Sequence, residues 1–472
     1  MFNAWIKQFF LSAIVCFLCS SVYAITPAKS DHYDTIIVGA GMSGLAAATD
    51  LNQHHYKILV LEARNRIGGR IWSVNRWNKT IDLGASWIHG MNNNPIAKIV
   101  ESLSIKTIPT SYQSDTPTGK INDSDIFDPS GKKIPTNEVD DMLPSFTQFA
   151  TFAQHFSTEK NVTIADALTQ YTKQHQLSER QSLILNYMVT TSLVYELADD
   201  LNNISAHAEE FHKGSQVSGT NVIFPEGYKQ VITHLAKNIP ILLNHKVINI
   251  RQDKSGVEVD TEHDKYFAKN VIVTLPLGVL KANSVKFYPP LPAYKERAIA
   301  EGRMGVLDKT YLLFPKVFWN NRKEWIEILP KKASNAPLLD ILNYGKFTHK
   351  PLLLVFTAGS QAKAFEKMSN ENIIKNMMLE IRNVYGKNTP NPTAYVITRW
   401  YQDPYAHGSY SYLSSTTPFS FYERMAKPVN DRLFFAGEAT SETDPSTVHG
   451  AYLSGVRAAH QVEQLISHDP AV

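Results

Sequence analysis

Cysteine is nearly absent from these 472 residues: the two that occur, Cys16 and Cys19, both lie in the leading segment. They sit in the apolar run FFLSAIVCFLC, which follows Lys7, is too short to span a bilayer and is succeeded by Val22-Tyr23-Ala24. Residues 1–24 are therefore expected to be a secretory signal peptide cleaved after Ala24. A secreted or periplasmic protein with no stable membrane insertion would result; the alternative is an uncleaved anchor. Cys19 lacks a small residue before it, which argues against lipid modification. No twin arginine precedes the run, so export would occur unfolded. A mature chain without cysteine has no disulfide, no thiol nucleophile and no cysteine metal site.

Charge of one sign is lacking too. Lysine and arginine number 47 against 44 acidic residues, a formal net charge of +3, so no basic footprint for nucleic acid is present. With 43% apolar and 19% charged residues the chain can bury a large core, and its length fits two domains. Neither an HExxH metal motif nor a GxSxG nucleophile elbow occurs, so no metal is expected and the hard chemistry should belong to an organic cofactor.

What is there begins at residue 34, DTIIVGAGMSGLAAATDLNQHHYKILVLEARNRIGGR. The β-branched run Thr35-Ile36-Ile37-Val38 suits a buried parallel strand and leads straight into Gly39, Gly41 and Gly44, spaced as GxGxxG. The first glycine permits a tight turn, the second lets a pyrophosphate approach the backbone, and the third lets a helix pack close to the strand. The alanine-rich run after Ser43 is strongly helical and would aim its first amides at the phosphates. A second strand, Lys57 to Leu61, ends at Glu62, the position from which a carboxylate takes ribose hydroxyls. Arg64, Arg66, Gly68, Gly69 and Arg70 then form an RxRxGGR run, similar to the second half of the fingerprint of two-dinucleotide flavoproteins. It couples a glycine turn to fixed guanidinium charges, and with it the cofactor reads as FAD. Without cysteine in the mature chain no thioether can form, so the FAD should be held non-covalently.

Residues Ile81 to Gly90, IDLGASWIHG, read as a short strand broken at Gly84, where a missing side chain lets backbone approach a ring system. Here the chain resembles the flavin amine oxidases, the superfamily of monoamine oxidases, polyamine oxidases and lysine-specific histone demethylases. DLGASWIHG is closest to the polyamine and spermine oxidase form. The resemblance runs from about residue 33 to 466. It implies an α/β architecture of two domains. A Rossmann-type FAD-binding domain is built from the discontinuous segments 33–105, 223–288 and 428–468. The substrate domain, 106–222 and 289–427, carries a mixed sheet and a helical insertion. It further implies that Gly84, Ala85 and Trp87 adjoin the flavin and that His89 lies near the substrate, although a loop histidine taken alone is more often a bystander.

Residues 106–222 begin with turn-rich polar stretches and continue with apolar residues at helical spacing, so an irregular start and a helical insertion are expected. By resemblance Glu196 faces the substrate tunnel; a solvated helix-end carboxylate is the competing reading. The strand pair after Tyr228 returns to the FAD domain, with Val247 by the adenine end, and Phe287 to Pro292 marks the crossing back. Lys309 stands within an apolar, alternating strand, where a cation is costly to bury without partners. In many family members the matching lysine holds a water facing the flavin's reactive nitrogen; otherwise Lys309 points outward on the alternation.

Thr398-Arg399-Trp400 and Ala406 to Tyr412, AHGSYSY, resemble the family's approach to the flavin face. Trp400 would contact the cofactor, and Tyr410 would form one wall of an aromatic cage. Arg432 to Thr440, RLFFAGEAT, and Thr447 to Tyr452, TVHGAY, are the most specific matches. They assign Gly437 and Glu438 to the ribityl and phosphate region, Thr447 and Val448 to the ring, and Tyr452 to the second cage wall. The implied activity is FAD-dependent oxidation of polyamines or related amines. Hydride passes to flavin, the imine hydrolyses to aldehyde plus amine, and dioxygen becomes hydrogen peroxide. Lys309, Tyr410, Tyr452 and His89 are the expected catalytic set, with His89, Glu196, Tyr410 and Tyr452 against the small-molecule amine. An L-amino-acid or monoamine oxidase, and a silent flavin-binding interaction protein, stay open.

Overall fold

A computed structural model describes residues 32–112, 119–156, 161–207, 214–329 and 339–467; the expected signal peptide lies outside them. The architecture is the expected α/β fold, with two sheets each coated by helices. The first sheet runs in the order Lys286–Tyr288, Val247–Gln252, Val257–Thr261, Lys265–Val273, His32–Val38, Ile58–Leu61, Ile241–Leu242, and Leu433–Phe435 pairs with Lys265–Val273. Its centre is parallel: Ile36 and Ile37 lie between Leu59 and Val60 on one side and Val271 and Ile272 on the other. These residues are fully buried because both faces are covered, one by helices packed on Ile37, Val60 and Ile272 and the other by Val247, Ile250, Val257 and Val259 packed on Ile36, Leu59 and Val271, which is why the strands read as continuous apolar runs.

One covering layer is the pair of helices Met42–Gln53 and Val448–Ser467. Small residues let them close on each other: a Cβ on Gly455 would stand 2.2 Å from the Ser43 carbonyl oxygen. Leu45, Leu51, Ala458 and Val462 fill the seam, each fully buried. Truncating Leu45 to Ala there would cost about 3 kcal/mol.

The second sheet is mixed, in the order Ala394–Ile397, Leu307–Leu313, Leu352–Ala358, Leu339–Leu342, Trp325–Ile328, Ser124–Phe127. All its pairings are antiparallel except the last, where Ser124–Phe127 runs parallel to Trp325–Ile328. That edge strand falls where the sequence suggests only irregular chain. Four residues, Ser-Asp-Ile-Phe, are too few to show a period, and partner pairing rather than local propensity makes them a strand. The helical insertion follows as Leu143–His155, Ile164–Gln174 and Glu179–Leu197. Capping boxes, Thr163 with Asp166 and Ser178 with Gln181, start the second and third of these.

Candidate active site

Between the two sheets lies a cavity of about 460 Å³, reaching from Glu62, Arg64 and Val247 at one end to Trp325, Asp340 and Phe356 at the other. At the first end the three glycines do different things. Gly39 turns the chain at φ +108°, and a Cβ on Gly44 would sit 1.9 Å from the Gly39 carbonyl oxygen, so helix and strand touch there backbone to backbone. A Cβ on Gly41 would meet no protein atom within 4 Å, because that position opens onto the cavity. Gly41 also starts the helix Met42–Gln53, and no side chain caps it. Its first amides are left for an anion.

Glu62 closes the neighbouring strand and accepts hydrogen bonds from the amides of Ala40 (2.7 Å) and Arg64 (2.8 Å); burial raises its pKa. The guanidinium groups that the sequence offers to a diphosphate are bound to protein. Arg64 donates two bonds to Asp403 (2.9 and 2.7 Å) and stacks on Tyr405, and Arg66 lies over Trp72. Arg70 donates to Glu438 (2.8 Å) and to the Ser409 carbonyl, and Glu438 also accepts from the Ser411 hydroxyl (2.6 Å). Arg64 and Arg70 bear on the site as ion-paired links between the two halves of the chain, whereas Arg66 bonds only backbone carbonyls and keeps one terminal nitrogen without a partner. An uncapped helix start, an open glycine and a buried carboxylate are a donor set that suits a dinucleotide, so the residues present fit FAD.

The middle of the cavity is built around Lys309. On its strand Leu307, Lys309 and Tyr311 share one face, which is the inward one. The Lys309 ammonium donates to the carbonyls of Asp82 (3.1 Å) and Gly84 (2.6 Å) and to the Ser86 hydroxyl, so the segment 82–86 occupies all three of its hydrogens. Burial pulls its pKa down to about 8, against the opposing pull of the Asp82 carboxylate. Asp82 itself is raised to about 6 by burial, and accepts from Ser73 and the Tyr228 amide. Gly84 lines the cavity, and the space a side chain would need there is already taken by protein. A Cβ there would strike the Arg70 carbonyl oxygen at 1.7 Å and approach the Trp400 indole at 3.4 Å. Trp400 donates in turn to the Leu83 carbonyl (3.1 Å).

Gly69, Ala85, Trp87, Gly437, Thr447 and Val448 also line the cavity. Thr447 caps the closing helix, its hydroxyl accepting from the Gly450 amide (2.9 Å), and with Val448 it brings the start of that helix to the cavity wall. His89 lies on the wall, its ring centre 6.0 Å from that of Tyr112; burial lowers its pKa, against the opposing pull of Glu196. Glu196 accepts from the Tyr112 hydroxyl (2.9 Å), and Tyr410 donates to the Tyr195 carbonyl (2.8 Å), both on the wall.

Tyr452 is not brought to the site, which corrects the expectation of a second cage wall there. The helix turns Val448 and Ala451 inward, while Tyr452 packs with the residues between the covering helices and feels the charge of Asp50. It lies one turn beyond the helix start and off the inward stripe.

Tyr112, Trp325, Asp340 and Phe356 are functional candidates that the sequence reading passed over. A signal existed for Asp340 alone: an acid within Leu-Asp-Ile-Leu, a strand buried at every position. It ion-pairs with Lys120 (2.8 Å), which also faces Glu327 (3.1 Å). Burial and Asp340 push Glu327 up to about 8.

Comparison with known proteins gives the following matches. The family model described as flavin containing amine oxidoreductase matches residues 42–463. Polyamine oxidase 2 of Arabidopsis thaliana is 33% identical over 442 residues, 91% of this chain and 88% of that protein. Polyamine oxidase 5 of Oryza sativa subsp. japonica is 33% identical over 445 residues, 92% and 88%. Lysine-specific histone demethylase 1 homolog 2 of Arabidopsis thaliana is 31% identical over 455 residues, 92% of this chain and 59% of that one.

Proposed function

The chain belongs to the flavin-containing amine oxidoreductases, and from that premise we propose that it oxidises polyamines, with dioxygen as the electron acceptor. FAD, when bound, accepts the hydride equivalent removed from the carbon beside the amine nitrogen. The chain's own residues do the rest. The uncapped start at Gly41 and the Glu62 carboxylate hold the nucleotide portion, and the start of the helix at Thr447 and Val448, on the cavity wall, favours electron density at the ring. Tyr410, fixed through its hydroxyl to the Tyr195 carbonyl, presents a π-face against which an amine is aligned. Lys309 locks the backbone of 82–86 around the ring site and keeps a positive charge beside it below about pH 8. The released imine hydrolyses to aldehyde and amine, and dioxygen leaves as hydrogen peroxide.

The observation that carries the polyamine reading is the cavity's second end, where aromatic rings stand beside the carboxylates Glu196 and Asp340. An amino-acid oxidase needs a guanidinium for the substrate carboxylate. The two arginines lining this cavity, Arg64 and Arg70, are both tied to protein carboxylates at the nucleotide end. Peroxide release from purified FAD-loaded protein, given spermine, spermidine, monoamines and amino acids in turn, tests the reading. Turnover of the polyamines is expected; peroxide from amino acids alone, or from none, overturns it. The leader motif supports export to a periplasm or the cell exterior, with dioxygen met there. Exported protein beginning at Ile25 is expected, and an N-terminus retained at Met1 in that fraction overturns cleavage. No helix among the described residues is long and apolar enough to cross a membrane.

A further inference from the structure

Among the described residues the first helix, Met42–Gln53, and the last, Val448–Ser467, lie side by side with their starts on the cavity wall. Their far ends carry a cluster that the amine chemistry does not use. Asp50 and His54 are four residues apart at the end of the first helix, and His460 and Glu463 are three apart on the last. Residues at those spacings share a helix face, so each pair points one way, and the close seam at Gly455 and Ala46 sets the two pairs against each other. None of the four lines the cavity.

His54 Nδ1 touches Glu463 Oε1 and lies 3.7 Å from Asp50 Oδ1, while His460 Nε2 lies 3.5 Å from Asp50 Oδ2. The ligand atoms of Asp50, His54 and Glu463 all fall within 4.8 Å of one another. The carboxylates form the inner pair, with side chains 17% and 21% exposed, and the imidazoles the outer pair, at 56% and 54%. Among the described residues neither carboxylate is paired with a lysine or an arginine; their partners are the two imidazoles, which carry charge only when protonated. Asp50 Oδ1 is closed off from water and accepts no hydrogen bond. Two carboxylates gathered near the carbonyl ends of two helices, where the backbone adds partial negative charge of its own, call for a cation.

We propose that Asp50, His54, His460 and Glu463 bind a divalent transition metal with the ligand preference of zinc, tying the end of the first helix to the last turns of the closing one. Two imidazole nitrogens and two carboxylate oxygens are a tetrahedral donor set for such an ion and a poor one for magnesium or calcium, which take oxygen ligands. Ligands about 2.0–2.2 Å from zinc stand roughly 3.5 Å apart, and rotation of the two half-exposed imidazoles covers the difference from the spacing found here. The same exposure gives the ion a way in from solvent. Its place is structural: it holds in register two helices whose other ends meet the cofactor site. The two halves of the site come from opposite ends of the chain, so no local motif shows it. The site stands whether or not the chain oxidises amines.

The test titrates zinc chloride into the untagged, flavin-loaded full chain in a calorimeter, with magnesium chloride as the comparison. One zinc per chain is expected, bound at least about a hundredfold more tightly than magnesium. Zinc at a hundred times its Kd should raise the melting temperature by about 3 °C. His54→Ala and His460→Ala, both at half-exposed positions, should each weaken zinc binding by at least about tenfold and remove most of that rise. Their flavin content, and their melting temperature in the presence of a chelator, should match the wild type. No one-to-one zinc binding, zinc held no more tightly than magnesium, or a zinc affinity that both substitutions leave intact overturns the site.

Discussion

The two ends of the cavity are made of different material. At the nucleotide end the protein presents backbone: an open glycine, two helix starts and a strand end, with the nearby guanidinium groups already paired to Asp403 and Glu438. At the substrate end it presents side chains, with Tyr112, Glu196, Trp325, Asp340 and Phe356 coming from five separate stretches of chain. Backbone recognition needs particular residues at particular spacings, because only glycine tolerates the required turns and approaches. Side-chain recognition needs only that some ring or acid arrive at a point in space, from whichever segment the fold supplies.

The largest effect tests the backbone end. Gly44→Ala, the smallest possible change, would drive a methyl group into the Gly39 carbonyl oxygen at 1.9 Å, and neither strand nor helix can yield without moving the turn between them. A loss of at least about 3 kcal/mol and of flavin is expected, read from soluble yield and from the absorbance of the purified protein. Full flavin content in that variant would mean the turn is not the cofactor's cradle.

Next comes Lys309, which sits where the two ends meet. Lys309→Met leaves two carbonyls and a hydroxyl in a buried place without their donor, a loss of about 2 kcal/mol. The effect should depend on pH. The folded chain holds this group at about 8, below its ordinary 10.5, so between those values the unfolded chain binds more protons and the group's contribution to stability rises with pH. Below about 8 both states are protonated and the burial penalty is present in full. The wild type should therefore gain on Lys309→Met as pH rises through that window, measured by thermal melts of both proteins side by side. A constant gap would place the proton elsewhere. Flavin reoxidation, followed by rapid mixing with dioxygen, should slow in the same variant.

The same contrast explains what could be read from the chain alone. The strand, glycine turn, helix, second strand and Glu62 follow one another within thirty residues, so local sequence carries nearly the whole geometry of that end. Lys309 was legible for another reason: a cation in an apolar alternation has to find partners inside. Tyr112 sits in a polar, turn-rich stretch that shows no period, and Trp325 looks like any core aromatic. Asp340 and Glu327 each interrupt a short apolar strand, but their shared dependence on Lys120, some two hundred residues away in sequence, exists only after folding. The arginines are a mixed case: their spacing announces charge beside the cavity, where Arg64 and Arg70 do stand, but the carboxylates they pair with, Asp403 and Glu438, lie hundreds of residues away and could not be named from it.

Tyr410→Ala sharpens the substrate end. Removing a ring held by its bond to the Tyr195 carbonyl should slow anaerobic bleaching of the flavin by spermine about tenfold, with flavin content unchanged. Bleaching at the wild-type rate would remove Tyr410 from substrate alignment.

The smallest effect is expected from Tyr452, and its smallness carries the argument. Tyr410 and Tyr452 look equivalent in sequence, each an aromatic in a motif beside the flavin, yet helical rotation separates them. Val448 and Ala451 turn inward, and the next residue is carried about 100° around the axis onto the seam with the helix Met42–Gln53. Tyr452→Ala should therefore change bleaching by less than about twofold, while lowering stability by roughly 1–2 kcal/mol for a half-buried ring. A tenfold loss in bleaching from Tyr452→Ala, matching that of Tyr410→Ala, would mean that the closing helix rotates when amine enters. The division between a backbone-built end and a side-chain-built end would then fail at the helix that joins them.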